Sequence, residues 1–154
     1  MKSLDFVFVG AARNPAYKNL EAFYHERITH YVKVSNIVLI KDSVASDLAL
    51  KQKQDSQNIL EQLTDKDVVV VCDERGKACT SPEFAKKIEN FCARGPRVVF
   101  VVGGAYGMSD ALRARADFTL RLTDFVLPHE LARVVLLEQV YRGFSILKGE
   151  RYHH

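Results

Sequence analysis

The chain has 154 residues, 47% apolar and 27% charged, with a formal net charge of +3. That suits one globular domain with a real core, but no apolar run nears the roughly 20 residues of a membrane helix. The mildly basic balance falls short of an unaided grip on nucleic acid. Cys72, Cys79 and Cys92 make no C-x-x-C pair, so neither a metal site nor a disulfide framework is expected, and a reduced, cytoplasmic protein is the simplest reading.

Strand and helix signals alternate from end to end. Leu4 to Val9 reads as a buried strand ending at Gly10. Asn14 and Pro15 supply a cap and a first-turn proline for a helix with Tyr17, Leu20, Tyr24, Ile28 and Tyr31 on its apolar face. Ile37 to Ile40 is the second strand. Ser46 to Leu63 reads as a helix or a partly mobile loop, because Lys51 to Asn58 present no apolar face. Val68 to Cys72 is the third strand, followed by a loop at Asp73 to Lys77.

Ser81-Pro82-Glu83 then opens a helix with Phe84, Ala85, Ile88, Phe91 and Cys92 on one side, and Gly95-Pro96 stops it. Val98 to Val102 is the fourth strand. It runs into Gly103-Gly104-Ala105-Tyr106-Gly107, and Ser109-Asp110 caps a short helix. Phe118 to Leu122 is the fifth strand, and a last helix runs from Pro128 to about Ser145. The order predicts an α/β fold with a largely parallel sheet and helices on both faces, in one domain spanning 1–154. Apolar residues cover nearly the whole circumference of the last helix, which predicts either a helix buried centrally within a monomer or, the preferred reading, a homodimer with one face of that helix against a second subunit.

Ligands of open parallel sheets sit beyond the carboxyl ends of the strands. The loops there are Asp73 to Lys77, Gly103 to Gly107 and Thr123 to Leu127. Gly103 and Gly104 permit close backbone approach or an unusual φ; a plain tight turn is the better account of a lone glycine pair, and the convergence of three such loops is what favours a site. No G-x-G-x-x-G follows the first strand and no P-loop motif exists, so the site belongs to the C-terminal half. His129, in the first turn of the last helix, suits a neutral imidazole that accepts a proton, or a cap. Arg142 follows Glu138 by four residues, the spacing of a surface pair or of an anion contact. Tyr152, His153 and His154 would ordinarily be a frayed tail.

Val102-Gly103-Gly104-Ala105-Tyr106-Gly107, Leu127-Pro128-His129, Arg133-Val134, Glu138 to Arg142 and the terminal Tyr152-His153 together resemble the SPOUT class of methyltransferases. Within it they resemble the small enzymes that methylate N3 of a pseudouridine in 23S ribosomal RNA. The resemblance implies a C-terminal trefoil knot, a homodimer, S-adenosyl-L-methionine as cofactor and the assembled ribosome as substrate, with neither metal nor membrane. Carried over by position, the cofactor would meet Cys72, Asp73, Gly103, Gly104, Thr123, Asp124, Phe125, Val126, Leu127 and Pro128. His129, Arg142, Tyr152 and His153 would face the target base, with His153 or His129 as general base and Arg142 stabilising charge on the adjacent carbonyl. The competing reading is a non-catalytic nucleotide- or partner-binding module.

Overall fold

The computed structural model describes residues 1–154. Five strands, β1 (Ser3–Val9), β2 (Ser35–Ile40), β3 (Asp67–Ala78), β4 (Arg97–Val102) and β5 (Phe118–Arg121), form one parallel sheet in the order β2-β1-β4-β3-β5. The helices are α1 (Pro15–Ile28), α2 (Leu48–Leu60), α3 (Ser81–Arg94), α4 (Asp110–Arg115) and α5 (His129–Leu147). Side-chain alternation along the strands divides the core in two. Leu4, Phe6, Phe8, Val98, Phe100 and Val102 pack with Ile28, Phe84, Ile88 and Leu137, beneath α1, α3 and α5. Val7, Val9, Val99 and Val101 pack with Ile59 and Leu112, beneath α2 and α4. The bulky aromatic layer lies under three helices and the valine layer under two.

The amino-terminal ends of the three central strands are fastened by charge. Arg97 meets Asp5 at 2.7 Å and Asp67 at 3.0 Å, and both carboxylates are buried. Asp5 also accepts the Asn36 backbone N–H at 2.9 Å, and Asp67 accepts that of Thr64 at 2.8 Å. The carboxyl end of the sheet is therefore free of this structural duty.

Local signals set most boundaries. Asn14 Oδ1 accepts the Ala16 N–H at 2.9 Å, and Thr80 and Glu83 form a reciprocal capping box at the start of α3. Three expectations need correction, and the alternative left open at Ser46 to Leu63 is decided for a helix. The predicted loop Asp73 to Lys77 is largely an excursion within β3: residues 73–76 bulge out, and Lys77 and Ala78 rejoin β5. Gly76 makes this possible, since a Cβ there would lie 2.5 Å from the Thr119 carbonyl oxygen. On α1, Leu20 is exposed, and Glu21 points inward, drawn to a buried arginine of α5; Tyr31 lies beyond the helix end. Helix α2 exists despite its polar middle, because Asp55 and Ser56 are themselves buried. Pro128 caps α5 and lies just outside it.

The apolar circumference of α5 is largely spent inside the chain. The helix packs against α1 and α3, burying Val134, Leu136, Leu137, Val140 and Phe144, while Leu131 and Val135 stay half-buried. Gly143 lets α3 approach, with Ile88 filling the space that a Cβ would occupy.

His25 yields a pH prediction. Its ring stands edge-on to Phe6, with Nε2 3.0 Å from Ser35 Oγ. Burial lowers its pKa, outweighing the opposing pull of Ser35 and Asp5. The native ring stays neutral where the unfolded chain takes up a proton, so stability falls as pH drops below the unfolded value of about 6.5. The urea midpoint should decline from pH 7 to about 5.5, and His25→Gln should flatten that decline. An unchanged slope in the variant would rule the assignment out.

Candidate active site

The excursion of β3 at 73–76 and the segments that follow β4 and β5 enclose a cleft of about 950 Å³. Cys72 to Arg75 form one wall, Gly103 to Met108 another, and Arg121 to His129 the third, with Ala132 of α5 at the base. The three loops singled out in the sequence thus converge, and every expected cofactor residue from Cys72 to Pro128 lines the cleft.

Residues 123–127 have almost no internal hydrogen bonds. The Phe125 N–H reaches Thr123 Oγ1 at 3.3 Å, and no backbone-to-backbone bond involves this run. Peptide groups left open along a cleft wall can serve the polar edge of a ligand. Phe125 and Val126 are mostly exposed on the rim, at 83% and 88%, and offer apolar cover. Across the cleft, Gly107 adopts a φ of +83° and donates its N–H to the Gly104 carbonyl at 3.1 Å, closing a tight turn. The absent Cβ of Gly104 faces Val9 and Asp55, beneath the loop.

Charge in the lining is balanced. Arg75, Arg113 and Arg121 face Asp73, Glu74 and Asp124, so no positive surplus awaits a polyphosphate. Both Asp73 oxygens are occupied, by the Arg75 N–H at 2.9 Å and by Arg113 Nε at 2.7 Å. Burial opposes ionisation of Asp73, yet these two partners hold its carboxyl below the usual range. Burial pushes the Cys72 thiol up to about 12, which keeps it an uncharged wall residue. The set suits a ligand of modest net charge, such as one built on an uncharged nucleoside.

His129 lines the cleft at the start of α5 and is half-buried. Burial, and then the nearby Arg133 charge, lower its pKa, so the ring is neutral at physiological pH. Arg133 is fully buried and anchors this helix start: it donates to the carbonyls of Gly10, at 2.9 Å, and Val9 at the end of β1. Glu130 accepts the Arg13 N–H, a second tie between the same two segments. Burial raises the pKa of Glu21, 3.8 Å from Arg133, and lowers that of the arginine.

The other expected catalytic residues gather elsewhere. Glu138 Oε1 accepts from Arg142 Nε at 2.9 Å, from Arg142 Nη2 at 2.7 Å and from the Tyr152 hydroxyl at 3.0 Å. Arg142 also lies 3.2 Å from His153 Nδ1 and over the Tyr152 ring. The tail is therefore bolted down. The Glu138 hydrogen bonds raise the Arg142 pKa, and burial followed by Glu138 raises that of Tyr152. Since Arg142 is always a donor, His153 accepts at Nδ1 and carries its proton on Nε2. At about 1.5 Å per residue, Arg142 lies roughly 20 Å along α5 from His129, so one protomer does not unite the four residues.

Sequence reading missed Gln52, Met108, Arg113 and Arg121 in the lining. Arg113 and Arg121 sit in a mixed-charge run that looks like ordinary surface, and nothing near Gln52 marks it. No group of three or more His, Cys, Asp or Glu is placed to hold a metal, and no helix is long and apolar enough to cross a membrane.

A parallel sheet whose last three strands feed one cleft, roomy enough for a nucleoside, defines a ligand-binding α/β protein, and comparison with known proteins gives its class. The family model described as "Predicted SPOUT methyltransferase" matches residues 2–153, and the chain belongs to that family: it is a methyltransferase. Its relatives share a more particular name. Ribosomal RNA large subunit methyltransferase H of Nitratidesulfovibrio vulgaris is 40% identical, covering all of both chains. The proteins of that name from Desulfovibrio desulfuricans and Clostridium beijerinckii are 39% and 34% identical, covering 99% and 98% of this chain and 98% and 99% of their own. Among solved structures, the SpoU methyltransferase AviRb from Streptomyces viridochromogenes aligns with a TM-score of 0.47 and 12% identity, over 97% of this chain and 62% of that one.

Proposed function

We propose that this protein transfers a methyl group from S-adenosyl-L-methionine to N3 of a pseudouridine in 23S ribosomal RNA. It acts in the cytoplasm on the assembled ribosome, as a homodimer of single domains, each with the C-terminal trefoil knot of its class. The observation that carries this reading is the three-loop cleft, with its open backbone at 123–127 and balanced charge. The relatives' shared name supports large-subunit RNA as the substrate. Weak overall charge supports a preformed ribosomal target over naked RNA.

Cys72, Asp73, Gly103, Gly104 and Thr123 to Pro128 hold the cofactor, mainly through backbone groups and apolar cover. When bound, S-adenosyl-L-methionine supplies an electrophilic methyl on its sulfonium. Neutral His129, with no ring hydrogen bond inside the chain, takes the N3 proton. His153 presents Nε2–H, and with Arg142 it donates toward the carbonyl oxygen where negative charge gathers. Because α5 separates these groups, the cleft of one copy meets the C-terminal cluster of the other. That requirement is what supports the homodimer, since the apolar circumference of α5 is largely used up within the chain.

The test is calorimetric titration with S-adenosyl-L-methionine, followed by transfer of labelled methyl to ribosomes, isolated large subunits and naked 23S RNA. Binding and strong preference for ribosomes are expected. Removing residues 152–154 should abolish transfer and spare cofactor binding; a binding module would lose nothing by that truncation. No heat from the intact protein would end the methyltransferase mechanism proposed here.

A further inference from the structure

Helix α2 turns polar side chains toward the site. Gln52, Asp55 and Ser56 share one helix face, at the i, i+3, i+4 spacing. Gln52 Nε2 donates to the Tyr106 carbonyl at 2.9 Å, and Ser56 Oγ accepts the Ser109 N–H at 2.8 Å. The buried Asp55 backs the loop between these two bonds, its Oδ2 being 3.6 Å from the Cβ position of Gly104. Asp55 is itself fixed by the Ser43 N–H at 2.9 Å and by Lys51 at 3.6 Å.

The loop needs this support. It contains Gly103, Gly104 and Gly107, and its own fastening is the single turn from Gly107 to Gly104. A glycine-rich segment held that lightly would lose conformational freedom on binding, and the cost would appear in ligand affinity. Two bonds from a rigid helix, one at each side of Gly107, meet that cost during folding. We infer that α2 is the positioning element of the cofactor loop, with Gln52 and Ser56 as its clamps and Asp55 as its backing. The inference rests on the cofactor reading of the cleft.

Gln52→Glu keeps the side chain's size but sets an acceptor against the Tyr106 carbonyl, whereas Gln52→Lys retains a donor of similar reach. Two quantities are read: backbone amide exchange over residues 104–109 in the free protein, and the Kd for S-adenosyl-L-methionine. With Gln52→Glu, exchange in that loop should quicken while the sheet keeps its protection, and Kd should rise about five- to tenfold. Gln52→Lys should restore both, which a general loss of stability would not allow. Unchanged loop exchange, or quicker exchange with unchanged Kd, overturns the inference. If the wild-type protein itself binds no S-adenosyl-L-methionine, the cofactor reading fails and the inference falls with it. If wild type binds and Gln52→Glu binds equally, the inference alone fails.

Discussion

His129→Gln should lower kcat for methyl transfer by about 10²- to 10⁴-fold, the range of a lost general base, with a much smaller change in cofactor Kd. Glutamine keeps a polar side chain in the cleft lining but cannot take a proton. Burial and Arg133 hold the His129 pKa below its usual value, so the wild-type acid limb should begin below about pH 6.5 and vanish in the variant. His153→Gln should cost less, because Nδ1 is already engaged by Arg142 and the ring acts as a donor. The reverse ranking, with the acid limb lost in His153→Gln, would transfer the base role to His153. The proposed two-copy site adds a check. Mixing His129→Gln with Arg142→Ala subunits should restore about a quarter of wild-type activity, since half of the dimers are then mixed and each has one intact site. No recovery after subunit exchange would place both groups in one protomer's site and contradict the roughly 20 Å separation along α5.

Arg97→Ala should destabilise the fold by about 3–5 kcal/mol, the cost of leaving buried carboxylates without their partner. Asp5 and Asp67 are each nearly inaccessible, at 5% and 6% exposure, and both depend on this guanidinium. For a chain of this length that is a fall in Tm on the order of 10 °C. Arg94→Ala is the control: its contact with Asp117 is 3.5 Å long with Arg94 half-exposed, and such a pair contributes about 0–1 kcal/mol. Equal effects of the two substitutions would show that the strand ends are held by packing alone. Arg97→Ala protein that remains folded at low temperature should still bind cofactor, because the clamp and the cleft occupy opposite ends of the sheet.

Local rules made much of this molecule legible. Alternating apolar runs such as Leu4 to Val9 and Val98 to Val102 disclosed the parallel sheet, and Asn14-Pro15 and Ser81-Pro82-Glu83 marked helix starts through cap chemistry that acts over three or four residues. The loops of the cleft could be named because strand order determines which ends of a parallel sheet bear loops, and because glycine and proline punctuate them. Failures began where a partner lies far off in sequence. Glu21 turns inward because of Arg133, and Asp55 and Ser56 are buried because the 104–109 loop lies over them; neither relation has a periodic signature. The excursion at 73–76 depends on a backbone crossing at Thr119, which a sequence pattern does not contain.

The four expected catalytic residues mark the same boundary. Their chemical types could be read from the chain, and the resemblance grouped them. Their distribution between the two ends of α5 follows from helical rise and from the Glu138 bonds that fasten the tail. Composition, periodicity and capping are short-range properties, so they reached the elements, the layers and the loops of the cleft. The charge clamp at Arg97, the polar support from α2 and the separation of His129 from Arg142 are long-range contacts, and they exist only once the sheet has brought distant segments together.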